Sequence, residues 1–281
     1  MYKTKLGLGL SASFGLSDAD QIRLFRKTGF EAFFSDWKQG ADIGAYRAIA
    51  DETGIEYQSI HAPFDKAALM WKPRPEAQAA IDELIACLQD CSNYHVSIMI
   101  AHTFIGFKDH MPTKYGVENY GVVVDAAKQL GVQIALENTE GEEYLDCLME
   151  AFQDCSHVGF CWDTGHEMCY NYSRDMLEKY GDRLIATHIN DNLGISREDG
   201  EIFWTDDLHL LPFDGVGDWE DIARRLNRHR YEGILTFELT RASKPDRHDN
   251  DKYMKWTPEE YIAEAYARAC RVAALKQRMK E

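Results

Sequence analysis

Nine acidic and imidazole side chains stand at or just past the ends of apolar runs: His61, His102, Glu137, Asp163, His166, His188, Asp207, His209 and Glu238. Four of them close consecutive runs, Glu137 in ALENTE, Asp163 in CWDTGHE, His188 in ATHIND and Glu238 in TFELT. Two glutamates, an aspartate and a histidine, with no thiolate among them, make a mixed nitrogen and oxygen site with room for substrate oxygens. A lone histidine or glutamate at a strand end is more often a satisfied hydrogen-bond partner. Three carboxylates converging without a cation, however, would repel one another and be costly to desolvate. The quartet is therefore expected to hold one divalent ion, Mn²⁺ first, with Zn²⁺, Co²⁺ or Mg²⁺ as alternatives.

Residues so far apart in sequence meet only if the elements carrying them converge. The apolar runs are LGLGLS, FEAFFSDW, IEYQSIHAP, VSIMIAHTF, VQIALENT, VGFCWDTG, LIATHIND and GILTFELT. Between them lie amphipathic segments over 18–27, 42–53, 76–92, 118–130, 143–154, 173–180, 219–228 and 259–277. Strict alternation of continuous apolar runs with helical patterns predicts parallel strands covered by helices. Eight such units in 281 residues match a (β/α)₈ barrel spanning residues 1–281 as a single domain. A doubly wound open sheet is the other arrangement this periodicity allows, but no glycine-rich nucleotide fingerprint follows the first run.

Composition narrows the partners. At 45% hydrophobic residues the chain can bury a large core, and no low-complexity linker divides it. MYKTKLGLGLSASFG is too briefly apolar for a spanning helix and lacks a signal-peptide layout, so a cytoplasmic protein is expected. Seven cysteines without a C-x-x-C pair read as reduced structural thiols. A formal charge of −16 repels phosphate backbones and anionic lipid, which points away from nucleic acid and membrane and towards a small molecule. A homodimer fits as the assembly. Lys38, Lys108, Arg197 and Arg241 follow strand ends, read chiefly as solvated loop charges, with Arg241 retained as a candidate substrate contact.

The pieces IHAPF, ALENTEG, VGFCWDTGH, THINDN and DDLHLLPFDGVGDW resemble the xylose-isomerase-like barrel superfamily, which holds sugar isomerases, ketose 3-epimerases, inosose-processing enzymes and apurinic endonucleases. The resemblance covers essentially the whole chain. It implies a divalent metal on Glu137, Asp163, His188 and Glu238, with His166 nearby for substrate or a second metal, and His61 and His102 at further substrate or metal positions. Ketose 3-epimerases of this group carry an arginine soon after the seventh-strand histidine. Here the run is HINDNLGIS and Arg197 comes late, a departure from tagatose- or psicose-type enzymes. Asp207-Leu208-His209 reproduces the endonucleases' D-x-H element, so each of their nine ligand positions has a counterpart in this sequence.

The reaction these readings favour is isomerisation or epimerisation of a sugar or polyol by proton transfer through a metal-stabilised enediolate. Glu137 and Glu238 are the expected proton carriers on opposite faces of the substrate. His61, His102, His166, Asp207 and His209 are expected to contact substrate, and Trp37, Phe104, Trp162 and Trp204 are candidate apolar walls. The segment 192–217 is long for a strand-to-helix connection and is expected to lie over the barrel mouth as a lid. Two alternatives remain: a multinuclear zinc hydrolase of the apurinic-endonuclease type, and a sugar-binding barrel without catalysis.

Overall fold

Each apolar run forms one parallel strand, and the sheet they make runs in the order β7-β6-β5-β4-β3-β2-β1-β8. The computed structural model describes residues 4–108 and 110–279. The strands are β1 (Leu6–Gly9), β2 (Ala32–Asp36), β3 (Glu56–His61), β4 (Ile98–His102), β5 (Gln133–Glu137), β6 (Val158–Asp163), β7 (Leu184–His188) and β8 (Leu235–Phe237). The outer layer is α1 (Asp18–Thr28), α2 (Ile43–Thr53), α3 (Arg74–Asn93), α4 (Lys114–Leu130), α5 (Glu142–Ala151), α6 (Thr164–Cys169), α7 (Met176–Tyr180), α8 (Trp219–Arg228) and α9 (Pro258–Arg278). The periodicity missed α6, which starts without a loop because Asp163 both ends β6 and caps the helix, its carboxylate accepting from the His166 N–H.

The barrel closes between β7 and β8 through an isolated parallel bridge, Ile189 opposite Phe237. Ile189 N–H donates to Thr236 O at 2.8 Å and Glu238 N–H to Ile189 O at 3.2 Å. Thr187 lends its hydroxyl to the same seam, accepting from the Thr236 N–H at 3.1 Å. This is a nearly closed (β/α)₈ barrel, as the alternation predicts.

Register sets which residues reach the rim. Asp36 lies opposite His61, His102 opposite Glu137, and Asp163 opposite His188, whereas His61 lies opposite Ile100 and Glu137 opposite Cys161. Partners in a parallel ladder point to the same face. The rim therefore climbs in two-residue steps, the stagger that tilts strands around a barrel. Beneath the rim the interior is apolar, with Ile100, Ala135, Cys161 and Ala186 packed together. Phe34 stacks on the His188 ring, centroids 4.5 Å apart at 19°. That ring occupies space left by Gly9, where a Cβ would come within 2.4 Å of the Phe34 ring. Gly9→Ala is expected to cost about 1–3 kcal/mol by overpacking, read as a lower urea midpoint with an unchanged slope.

Candidate metal centre

Glu137 is the hub of the rim. It is fully buried, and each of its oxygens faces two imidazoles. Oε1 accepts from His188 Nδ1 at 3.0 Å and lies 3.6 Å from His166 Nδ1. Oε2 lies 3.2 Å from His61 Nε2 and 3.4 Å from His102 Nε2. Glu238 completes one side, its Oε2 3.1 Å from His188 Nδ1. Three groups made of nitrogen and oxygen ligands alone lie with their ligand atoms within 4.8 Å of one another: Glu137, Asp163, His188 and Glu238; His61, His102 and Glu137; and His166, Asp207 and His209; a fourth joins Cys161 to Glu137 and His188. The nine residues are thus gathered at one mouth, with Glu137 shared by the first two groups.

Backbone and amide contacts hold these side chains in place. His61, His166 and His209 each turn Nδ1 towards a backbone oxygen, of Ala62 at 2.8 Å, Asn138 at 3.0 Å and Glu238 at 3.2 Å. Their Nε2 atoms are thereby aimed inward, the arrangement by which a second hydrogen bond fixes a ligating imidazole. Asp163 receives Asn190 Nδ2 on both oxygens, at 3.2 and 3.0 Å. Asn138 bonds the Asp163 backbone at both ends, its Oδ1 accepting from N–H at 2.8 Å and its Nδ2 donating to O at 2.9 Å. Gly165 makes room for this, since a Cβ there would fall 1.9 Å from Asn190 Oδ1. His209 sits in the left-handed region, φ 47°, a backbone strain of the kind that clusters at functional sites.

Electrostatics mark the cluster as held together by opposite charge. Burial pushes Glu137 up, but His188, His102 and His61 outweigh it and hold its carboxyl well below the usual range. Burial likewise raises Glu238, and His188 and His209 overcome it, bringing it to about 2. At Asp163 burial wins, and the carboxyl rises to about 6. Burial lowers every imidazole here. The carboxylates reverse that at His61, at His166 and His188, which go well above the usual value, and at His209, which reaches about 9, but not at His102. Three carboxylates, Glu137 and Asp163 sealed and Glu238 part-exposed, interleaved with inward nitrogens fit a divalent cation, whose binding would displace protons from the imidazoles. Cys161 lies near Glu137 and His188, one layer deeper, where burial keeps its thiol well above the usual value.

Several expected wall residues face elsewhere. Trp37 and Trp162 each precede or follow a rim carboxylate by one residue, so strand alternation turns them out of the barrel. Trp37 Nε1 donates to Asp90 on α3 at 2.7 Å, while Trp162 Nε1 donates to Glu167 at 2.8 Å under the Arg225 guanidinium. Arg241 is also withdrawn. It is buried, Nη1 donates to Phe14 O at 3.1 Å, Nη2 donates to Trp256 O, and its guanidinium lies over Tyr261. Phe104 stacks on Tyr144, centroids 3.9 Å apart. Trp204 stays at the mouth, half-exposed. The aromatic walls that the sequence did not single out are Phe64, stacked on His102 at 4.5 Å, and Tyr170, stacked on His166 at 5.0 Å.

Asp36 is the other residue missed. It points to the face of His61, its ladder partner. Partial desolvation, then Glu238, raises its carboxyl against the pull of His61 and His188, while the residue keeps an exposed surface at the end of β2. The segment 192–217 is anchored at its base by Asp191, whose Oδ1 accepts from Asn192 N–H at 2.9 Å and Gly217 N–H at 3.0 Å. It carries Asp207 and His209 into the site and is tied to the β8–α9 loop by Arg247, which donates to Asp206 Oδ1 at 3.2 Å.

A barrel whose carboxyl-end rim gathers three neighbouring nitrogen and oxygen ligand groups has the form of a metal-centre (β/α)₈ protein. The chain belongs to the xylose isomerase-like TIM barrel family, which its residues 18–268 match. It is 41% identical over 113 residues to the uncharacterized protein y4fM of Sinorhizobium fredii, a match covering 38% of this chain and 33% of that protein. The chain thus spans about a third of that relative's length. The IolI protein, solved with a bound zinc atom, superposes with a TM-score of 0.75 at 18% identity, over 96% of this chain and 98% of its own. The 3-keto-D-glucoside 4-epimerase YcjR from E. coli gives 0.67 at 18% identity, over 90% and 98%. At that identity the likeness is one of fold. Among the described residues, no helix is long and apolar enough to cross a membrane.

Proposed function

We propose that this protein is a divalent-metal-dependent isomerase or epimerase of a small carbohydrate or polyol. One observation carries the reading: in the group Glu137, Asp163, His188 and Glu238, three members are sealed and Glu238 alone, with its side chain 27% exposed, opens to the mouth. A cation held by this group supplies a Lewis acid that makes the proton beside a carbonyl more acidic. Glu238, ionised at neutral pH, takes that proton from the substrate face that the mouth presents. Glu137 lacks exposed surface for the second transfer, so its part here is to hold the cation, and the return of the proton falls to Asp36, exposed at the end of β2 opposite His61. Carbohydrate epimerases among proteins of like fold support the substrate class.

A second reading, hydrolysis of a small phosphoester, is favoured by the nine-residue set itself, since adjacent cations can activate water and hold a leaving oxygen. The formal charge of −16 argues against a nucleic-acid substrate. The manganese- or zinc-loaded protein, incubated in deuterated water with pooled aldoses, ketoses and keto-inositols, is expected to exchange a carbon-bound proton, seen by NMR. No exchange across the pool, together with phosphate release from small phosphoesters, would reverse the order of the two readings.

A further inference from the structure

The β8–α9 loop brings a cation to the outer ligand group, which like His61, His102 and Glu137 offers a single carboxylate. Lys244 Nζ lies 3.3 Å from Asp207 Oδ2. The same oxygen accepts from His209 Nε2 at 2.6 Å and lies 3.7 Å from His166 Nε2. The lysine side chain is only 24% exposed, and its ammonium stands 5.7 Å from the Trp204 ring centroid. Asp207 is buried, and its other oxygen, Oδ1, has no hydrogen-bond partner. Glu137, Asp163 and Glu238, by contrast, form ion pairs only with histidines among the described residues.

Charge separates the groups. The inner quartet offers a cation three carboxylates. The outer trio offers one, and Lys244 already neutralises it. A divalent ion seated among His166, Asp207 and His209 would lie within a few ångströms of the ammonium, and like charges so close and so poorly hydrated repel strongly. A lysine stem can swing aside, so the ammonium competes with the metal and does not block it. The loop need not unfasten from the lid when it does, because Arg247 holds Asp206, and Asn250 Nδ2 donates to Leu208 O at 3.1 Å.

We propose that Lys244 is a resident counter-cation of the outer trio, competing with metal for Asp207, so that the inner groups fill at metal concentrations that leave the outer one without an ion. This rests on the metal-dependent reading above and adds to it how a nine-ligand rim is restricted to its inner ions. Metal-stripped full-length protein, titrated with Zn²⁺ against a chromophoric chelator, tests it. Lys244→Met, which keeps the aliphatic stem, is expected to tighten the weakest zinc step at least about tenfold, since one repelling unit charge is removed. Lys244→Arg is expected to leave that step as in wild type, and His209→Ala to abolish it with or without Lys244→Met. Equal weakest-step affinity in wild type and Lys244→Met overturns the proposal, as does a tightening that survives His209→Ala. Tight zinc steps with an inert Lys244→Met sink this inference alone. Absence of zinc binding in every variant sinks the metal-dependent reading with it.

Discussion

Glu137→Gln is expected to lower metal affinity more than about a hundredfold, because even the outer-shell partners of metal ligands are worth roughly 10–100-fold. Glutamine keeps the shape and removes the negative charge that two ligand groups share. The four imidazoles around it lose a carboxylate that raises His61 and His188, so the rim becomes less negative where a cation needs it most. Metal content after dialysis against a fixed free zinc or manganese concentration reads this directly. The metal-free variant is expected to melt lower than metal-free wild type, because removing the buried carboxylate leaves the imidazoles around it without their counter-charge. Full metal content in Glu137→Gln would remove the hub from the site.

Glu238→Gln is expected to fold normally and to lose proton exchange by about 10²–10⁴-fold, the usual contribution of a positioned general base. The variant separates two roles, because Glu238 is both a rim ligand and the one quartet member facing the mouth. Exchange is therefore to be compared at saturating metal, with occupancy measured on the same sample. Retention of about a tenth of wild-type exchange at full occupancy would take the catalytic role from Glu238, since that is a loss of only about 1.4 kcal/mol.

The barrel was legible because its signal is long-range and repeated: eight apolar runs alternate with helical patterns. The convergence of seven of the nine residues was legible too, because each follows a run, whereas Asp207 and His209 lie within the 192–217 segment and were placed by the resemblance and by that segment's length. What failed was the finer rule of alternation. In FFSDW the side chain that reaches the mouth is Asp36 and not Trp37, and in FCWDTG it is Asp163 and not Trp162. The period of two was available to decide Trp162, because fixing Asp163 inward forces its neighbour outward, whereas Trp37 needed the register of Asp36 against His61, which only the structure supplies. Arg241 and Lys244 were beyond such rules. They lie three residues apart on one loop, yet one is consumed by the Phe14 and Trp256 carbonyls while the other reaches Asp207. Only the path of the loop decides this, and composition carries no trace of it.

The seam between β7 and β8 gives the site a meaning beyond chemistry. His188 lies on one lip of that seam and Glu238 on the other, just where a single bridge joins the strands. An ion gripped by both acts as a rivet across the joint, and whatever binds only the closed form holds it closed by mass action. Stripped of that rivet, the ring has one place at which to come undone. Opening there would bare two sheet edges at once, and unpaired edges are templates on which other chains assemble. If the proposed metal occupies this site, its removal is expected to show in light scattering as well as in turnover, the stripped protein aggregating where the loaded one does not.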